Sequence, residues 1–249
     1  MIVFDNVWFS YGEREVLRGI SFKADFNERI AILGESGGGK TTLLKLILGL
    51  IKPDKGRIFI DEVDITELSE EELIPIRRKF SIVFQEGALF DSLPVKENVA
   101  FFMRELYKIP DEEIYLKVSQ LLQRVGVADA ENLMPEELSG GMHRRVAIAR
   151  ALSVGKTKMF LYDEPTAGLD PINSQRIISL IEELANKEGI GFIIITHIVY
   201  VAWQLCERFI FLHDGKLIFD GSKKELIKTK IPALKEFIKE LLFKVTESE

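Results

Sequence analysis

Two apolar rhythms run along this 249-residue chain. Short apolar or alternating runs closed off by turn residues predict strands at "IVFDNVWFS", "ISFKADF", "RIAILG", "GRIFI" and "FSIVF", then at "MFLYD" and "GFIIIT". The stretch "ERFIFLHDGKLIFDG" predicts a hairpin, with Asp214 and Gly215 supplying the left-handed backbone of a two-residue turn. A second rhythm, of about 3.6 residues, predicts helices over 40–50, much of 96–125, 141–153, 172–187, 199–205, 222–229 and 233–243. In 172–187, Ile177, Ile178, Ile181, Leu184 and Ala185 fall on one stripe able to cover a sheet. Strands alternating with helices predict an α/β fold with a mostly parallel sheet. No strand pattern occurs from about 87 to 155, which reads as a helical subdomain inserted into the α/β core. Residues 223–249 are rich in Lys and Glu, with an amphipathic set at Leu234, Phe237, Ile238, Leu241 and Leu242. That helix either extends outward to dock or support a dimer, or packs on the chain's own core.

Composition narrows the function classes. A 47% hydrophobic and 29% charged chain can bury a sizeable core. Its net charge of −6 argues against affinity built on neutralising nucleic-acid phosphates. No apolar run approaches the roughly 20 residues that span a bilayer, and the first residues lack the pattern of a secretory leader. Cys206, the single cysteine, cannot form an internal disulfide, which points to a reducing compartment and a packing role.

The chemistry begins at "GESGGGKT", residues 34–41, which fits G-x-x-x-x-G-K-S/T between the strand "RIAIL" and the helix "KTTLLKLILGL". Gly34, Gly37, Gly38 and Gly39 let backbone N–H groups converge on a phosphate that a side chain would obstruct. The helix N-terminus adds free donors and a favourable dipole. In this reading Lys40 reaches the β- and γ-phosphates, the Thr41 hydroxyl completes a Mg²⁺ shell, and Glu35, Ser36 and Thr42 belong to the same nucleotide cradle. A second element, "MFLYDEPTAGLD", brings Asp163 out at the C-terminal edge of a buried strand, where ligands of open α/β sheets sit. Asp163 is the candidate for Mg²⁺ or its water. Glu164 is the candidate base for a water attacking the γ-phosphate.

With these motifs, "ELSGGMHRRVAIARAL" makes the chain resemble the ATP-binding cassette ATPases, the motor subunits of ABC transporters, over about residues 2–222. The resemblance implies a phosphate-loop NTPase core with an antiparallel β subdomain and the inserted helical subdomain. It implies an ATPase using ATP and Mg²⁺, with two copies closing head to tail around two nucleotides. Ser139, Gly140 and Gly141 would then present donors to the γ-phosphate held by the other copy. By the same resemblance Tyr11 stacks on adenine, and Gln85 touches Mg²⁺ and the attacking water. His197 contacts the γ-phosphate, and Asp170 lies in the loop that aligns the opposite site.

Met142 stands where most such ATPases carry Gln, and a thioether lacks that amide's hydrogen-bonding groups. "LSGGM" together with "VFQEGALFDSLPVKENVAFFMRE" resembles the ATPases of MCE-associated, Mla-type phospholipid transporters. That resemblance implies a permease, an MCE-domain protein and a STAS-domain regulator as partners, with the chain on the cytoplasmic face of the inner membrane. Another cargo such as amino acids, or a soluble assembly ATPase without a permease, stays open. Pro94 stands where that subfamily often has Thr, and Ile198 where Asp is common. Leu89, Phe90, Leu93 and Val95 either line a groove for a short permease helix or pack inside the helical region.

Overall fold

In the computed structural model, which describes residues 1–106, 109–239 and 241, ten strands and nine α-helices are defined. In chain order they are β1 (Ile2–Tyr11), β2 (Arg14–Ala24), β3 (Arg29–Gly34), α1 (Lys40–Ile47), β4 (Lys55–Ile60), β5 (Val63–Asp64), α2 (Glu70–Arg77) and β6 (Phe80–Val83). There follow α3 (Val95–Leu106), α4 (Asp111–Arg124), α5 (Gly140–Ser153), β7 (Met159–Asp163), α6 (Pro171–Glu188), β8 (Gly191–Thr196) and α7 (Val199–Leu205). The chain continues through β9 (Arg208–His213), β10 (Lys216–Ser222), α8 (Lys223–Ile227) and α9 (Pro232–Phe237).

The continuous apolar strands are buried on both faces, as parallel strands covered on both sides require. They form a six-stranded sheet in the order β10-β9-β3-β8-β7-β6, parallel except for the β9–β10 hairpin. Successive residues alternate between two cores, because side chains point to opposite faces of a strand. Ile30, Ile32, Leu161, Ile193 and Ile195 face α1 and the antiparallel sheet β2-β1-β4-β5. Ala31, Leu33, Phe160, Tyr162 and Ile194 face the helices α3 to α7. The architecture is a mixed α/β fold with a four-stranded antiparallel sheet beside the six-stranded, mostly parallel one, in agreement with the fold class expected from the sequence.

Register positions the site. Leu33 pairs with Thr196, Ile195 with Asp163, and Tyr162 with Val83. The loops that leave β3, β8, β7 and β6 therefore emerge side by side at one sheet edge, although their residues are far apart in the chain.

Three local features depart from the pattern reading. β2 begins at Arg14, six residues before the apolar run at Ile20, because Leu17 pairs with Phe9 and the polar lead-in completes the ladder. The helical span 96–125 is divided, and α4 starts after Pro110, which has no N–H to continue a preceding helix. Helix α2 was not anticipated, since Pro75 interrupts its pattern. Its capping box was legible nonetheless: Glu72 N–H donates to Ser69 Oγ (3.4 Å) and Ser69 N–H to Glu72 Oε2 (2.9 Å). From α2, Arg77 donates to Leu48 O at 2.9 Å and Gly49 O at 3.0 Å, occupying carbonyls that the end of α1 leaves free.

Among the described residues no strand lies between β6 and β7, and no helix is long and apolar enough to cross a membrane. Toward the C-terminus, Leu234, Ile238 and Leu241 are buried in the chain's own core, and the ring of Phe237 lies 4.9 Å from that of Phe211. Leu242 lies outside the described residues. Cys206 is fully buried, and burial pushes its thiol well above the usual range.

Candidate active site

The loop from β3 to α1 is shaped by glycines at close approaches. At Gly39 the backbone is left-handed (φ 93°), and a Cβ there would stand 2.8 Å from Leu17 Cδ2. At Gly34 a Cβ would stand 2.6 Å from the Leu212 carbonyl oxygen. Lys40 is buried at the start of α1 and donates to Gly34 O (2.8 Å) and Glu35 O (2.9 Å), so its ammonium lies across the loop. Burial pulls Lys40 below the usual lysine range, while Glu164, Asp163 and Glu35 pull it up. Ser36, Gly37 and Gly38 complete the loop, and Thr42 is buried in the first turn of α1.

Thr41 Oγ1 donates to Asp163 Oδ1 at 3.3 Å across the edge from α1 to β7. Asp163 is buried, and burial pushes its carboxyl above the usual range, with Glu164 adding to the push and Thr41 and Lys40 opposing it. A hydroxyl and a carboxylate suit a hard divalent cation such as Mg²⁺, which keeps waters and phosphate oxygens and needs only one or two protein ligands. Among the described residues there is no cluster of three or more His, Cys, Asp or Glu able to hold a metal alone, so phosphate oxygens would complete such a site.

Glu164 has a left-handed backbone (φ 47°), uncommon outside glycine, anchored by its N–H to Ile195 O at 2.8 Å. Its carboxylate is engaged on both oxygens. Oε2 accepts from the Thr196 hydroxyl (3.0 Å); Oε1 accepts from His197 N–H (3.0 Å) and faces His197 Nδ1 at 2.8 Å. Thr196 Oγ1 also accepts from Ile198 N–H at 3.0 Å. A threonine hydroxyl and a glutamate carboxylate thus hold the His197 turn, the support that Ile198 had put in question.

The remaining candidates lie on other strand ends, loops and helix starts. Gln85 is exposed on the loop after β6 and offers its carbonyl to Arg144. Tyr11 ends β1 half-exposed, edge-on to Phe9 at 4.8 Å. Asp170 caps α6, its Oδ1 accepting from Ile172 N–H (2.9 Å) and Asn173 N–H (3.0 Å), and these bonds hold its carboxyl below the usual range. Ser139 caps α5 by accepting the Met142 N–H at 3.3 Å, and it and Gly140 are exposed. Gly141 is buried, and a Cβ there would stand 2.8 Å from Asn173 Oδ1. Met142 packs its side chain against the helical core, so only its backbone takes part in this turn. Among the described residues no hydrogen bond joins residues 139–141 to the loop at 34–42. The helix starts at Gly39 and Ser139 thus share no hydrogen bond among the described residues.

Sequence reasoning missed Thr196, Asn98 and Arg144. Thr196 adjoins His197 at the end of an apolar run, which was a usable signal. Asn98 and Arg144 read as ordinary polar helix positions and are buried only by tertiary packing. Of the four apolar residues from 89 to 95 expected either at a groove or in packing, Leu89 and Val95 are buried in the core and Phe90 is exposed. An apolar groove of about 330 Å³ is lined instead by Leu50, Ile74, Ile82, Phe84, Phe102 and Leu106, with Arg77 and Arg78 also in its wall, and none of the four residues from 89 to 95 lines it.

The family described as ABC transporter matches residues 17–167. The intermembrane phospholipid transport system ATP-binding protein MlaF of Escherichia coli K12 is 37% identical, over 94% of this chain and 86% of that protein. The methionine import ATP-binding protein MetN of Carboxydothermus hydrogenoformans is also 37% identical, over 100% of this chain and 74% of that protein. A dimeric structure of a post-hydrolysis state of the ATP-binding cassette MJ0796 bound to ADP and Pi superposes with a TM-score of 0.81 at 32% identity, covering 89% of this chain and 98% of that one.

Proposed function

The chain belongs to the ABC transporter family and is an ATPase that uses ATP with Mg²⁺, and from that premise we propose that it drives phospholipid transfer between membranes in an Mla-type complex. The cargo reading is carried by the resemblance of the LSGGM stretch to the Mla-type ATPases, in which Met142 packs its side chain on the core. Identity to MlaF across nearly the whole chain supports it. A second reading, import of an amino acid, rests on the equal identity to MetN.

In the proposed site, Lys40 leaves the Gly34 and Glu35 carbonyls for the β- and γ-phosphates, which the N–H groups of residues 34–42 cradle. Thr41, Asp163 and Gln85 would hold Mg²⁺, which would neutralise phosphate charge, Glu164 takes the proton of the attacking water, and His197 orients the γ-phosphate. Tyr11 stacks on adenine. By the family resemblance, residues 139–141 serve the nucleotide of a second copy in a head-to-tail dimer, with Asp170 aligning that site. A dimeric cassette among the similar solved structures supports this pairing. Residues 1–222 form the cassette, 87–155 its helical subdomain, and 223–249 an extension.

The apolar groove at Phe84, with Arg77 and Arg78 in its wall, is the proposed seat for a short permease helix. It stands next to the Gln85 loop, which would pass the nucleotide state to the permease. The proposed location is the cytoplasmic face of the inner membrane, with an MCE-domain protein and a STAS-domain regulator as further partners. The test is affinity purification from native membranes in mild detergent, with mass spectrometry of proteins and lipids. A permease with an MCE-domain protein and phospholipid is the expected result. A permease with a periplasmic amino-acid receptor would move the cargo to the second reading, and soluble partners alone would sink the transporter assignment.

A further inference from the structure

Arg144 is buried near the start of α5, with no acidic group within ion-pair distance among the described residues. Its guanidinium instead donates to main-chain carbonyls on two different loops. Nη1 donates to Phe84 O (2.9 Å) and to Gln85 O, and Nη2 donates to Ala167 O (3.4 Å). The first two carbonyls belong to the loop that carries Gln85. The third belongs to the turn between Glu164 and Asp170. Arg144 itself lies five residues after Ser139, on the helix that begins with the LSGGM turn.

A guanidinium keeps its proton and offers five N–H donors in a rigid fork, so one side chain can span carbonyls that a point charge could not serve together. Burial pulls Arg144 below its ordinary value, and Asp163 and Glu86 pull the other way. A buried charge without a carboxylate partner is costly to keep. Arg150, on the same helix, donates to Gly87 O (2.9 Å) and Ala88 O (2.5 Å), so it grips the Gln85 loop without reaching the Asp170 loop. A Cβ on Gly87 would stand 2.9 Å from the His143 ring, so this loop lies directly on α5.

We propose that Arg144 is a positioning residue that ties the LSGGM helix, the Gln85 loop and the Glu164–Asp170 turn into one moving body. The helix start that serves the partner's nucleotide then shifts together with the loops that sense the chain's own nucleotide, and the two ATP sites fire cooperatively. The inference rests on the head-to-tail reading above and is independent of the cargo.

The test uses the purified full chain and the variants Arg144→Met and Arg144→Lys. For Arg144→Met the expected result is a fall in kcat of about tenfold or more, loss of the sigmoid dependence on ATP, and affinity for a fluorescent ATP analogue within about twofold of the parent. Arg144→Lys, whose ammonium can reach some of these carbonyls, recovers part of kcat. Placed with Glu164→Gln, Arg144→Met lowers the ATP-trapped dimer seen by size exclusion at equal nucleotide occupancy. Unchanged kcat and cooperativity in Arg144→Met would overturn the proposal. So would losses of kcat, nucleotide affinity and melting temperature that run in parallel in both variants, the signature of a packing residue. If Glu164→Gln alone traps no dimer, the head-to-tail reading fails, and the kcat-against-affinity split still decides whether Arg144 positions the chain's own loops.

Discussion

The carboxylate of Glu164 and the hydroxyl of Thr196 meet at 3.0 Å with both side chains closed off from solvent. The same hydroxyl accepts the Ile198 N–H, so one small side chain links the end of β7 to the turn after β8. Thr196→Val keeps the shape and removes both bonds. It is expected to cost about 1–3 kcal/mol of stability, because a buried acceptor and a backbone donor are left unmet, and to lower kcat. Thr196→Ser should restore both. Urea titration and steady-state ATPase assays read the two effects.

Glu164→Gln replaces one carboxylate oxygen by an NH₂ group and removes the proposed base. Turnover should fall by at least about 100-fold with ATP binding retained and an ATP-bound dimer accumulating on size exclusion. Unaltered turnover would refute the role given to Glu164, however well the dimer formed.

Met142→Gln tests whether the thioether matters to chemistry. The Met142 N–H caps Ser139 whatever the side chain, and the side chain packs against the helical core. ATP turnover should stay within about threefold of the parent, with a stability loss of roughly 1 kcal/mol from placing an amide on apolar neighbours. A tenfold change in turnover would place the residue in the reaction.

Asn98 is fully buried on α3 and binds the loop before it at both amide atoms. Its Oδ1 accepts Phe90 N–H at 2.7 Å; its Nδ2 donates to Phe90 O at 3.1 Å and Leu93 O at 2.7 Å. Asn98→Leu, similar in size, strands these backbone groups and is expected to cost on the order of 3 kcal/mol. A shift of the urea midpoint at constant slope would measure it.

Asp61 joins β4 to β5 and accepts from Lys158 Nζ (2.6 Å) and Lys79 Nζ (3.0 Å). Those bonds hold its carboxyl at about 2, below its ordinary 3.8. A depressed folded-state value stabilises above the unfolded value, and that stabilisation is lost as pH falls from about 4 through 2. Asp61→Asn, which tolerates the left-handed backbone at this site (φ 57°), should unfold more readily than the parent at pH 6. The gap between the two urea midpoints should close as pH falls toward 2. A gap that persists at pH 2 would mean that the ion pairs do not carry it.

What the sequence determined by itself are the elements whose physics is local. Strands such as "GFIIIT" appear because apolar residues run continuously, and the phosphate loop appears because glycine, lysine and threonine recur at fixed spacing between a strand and a helix. Glu164, Lys40 and Asp163 were legible for that reason. Helix α2 was hidden by Pro75, although its capping box at Ser69 and Glu72 was present. Tertiary structure alone decided that loops from β3, β6, β7 and β8 share one edge, because strand order in a sheet is set by long-range packing and not by chain order. It also decided which polar residues are buried. Arg144 and Arg145 are adjacent in sequence, yet Arg144 is enclosed by two loops while Arg145 reaches the Gly126 carbonyl at 2.8 Å, because neighbouring residues on a helix point in different directions. Only the surrounding fold makes one of them a bridge between the carbonyls of Phe84 and Ala167.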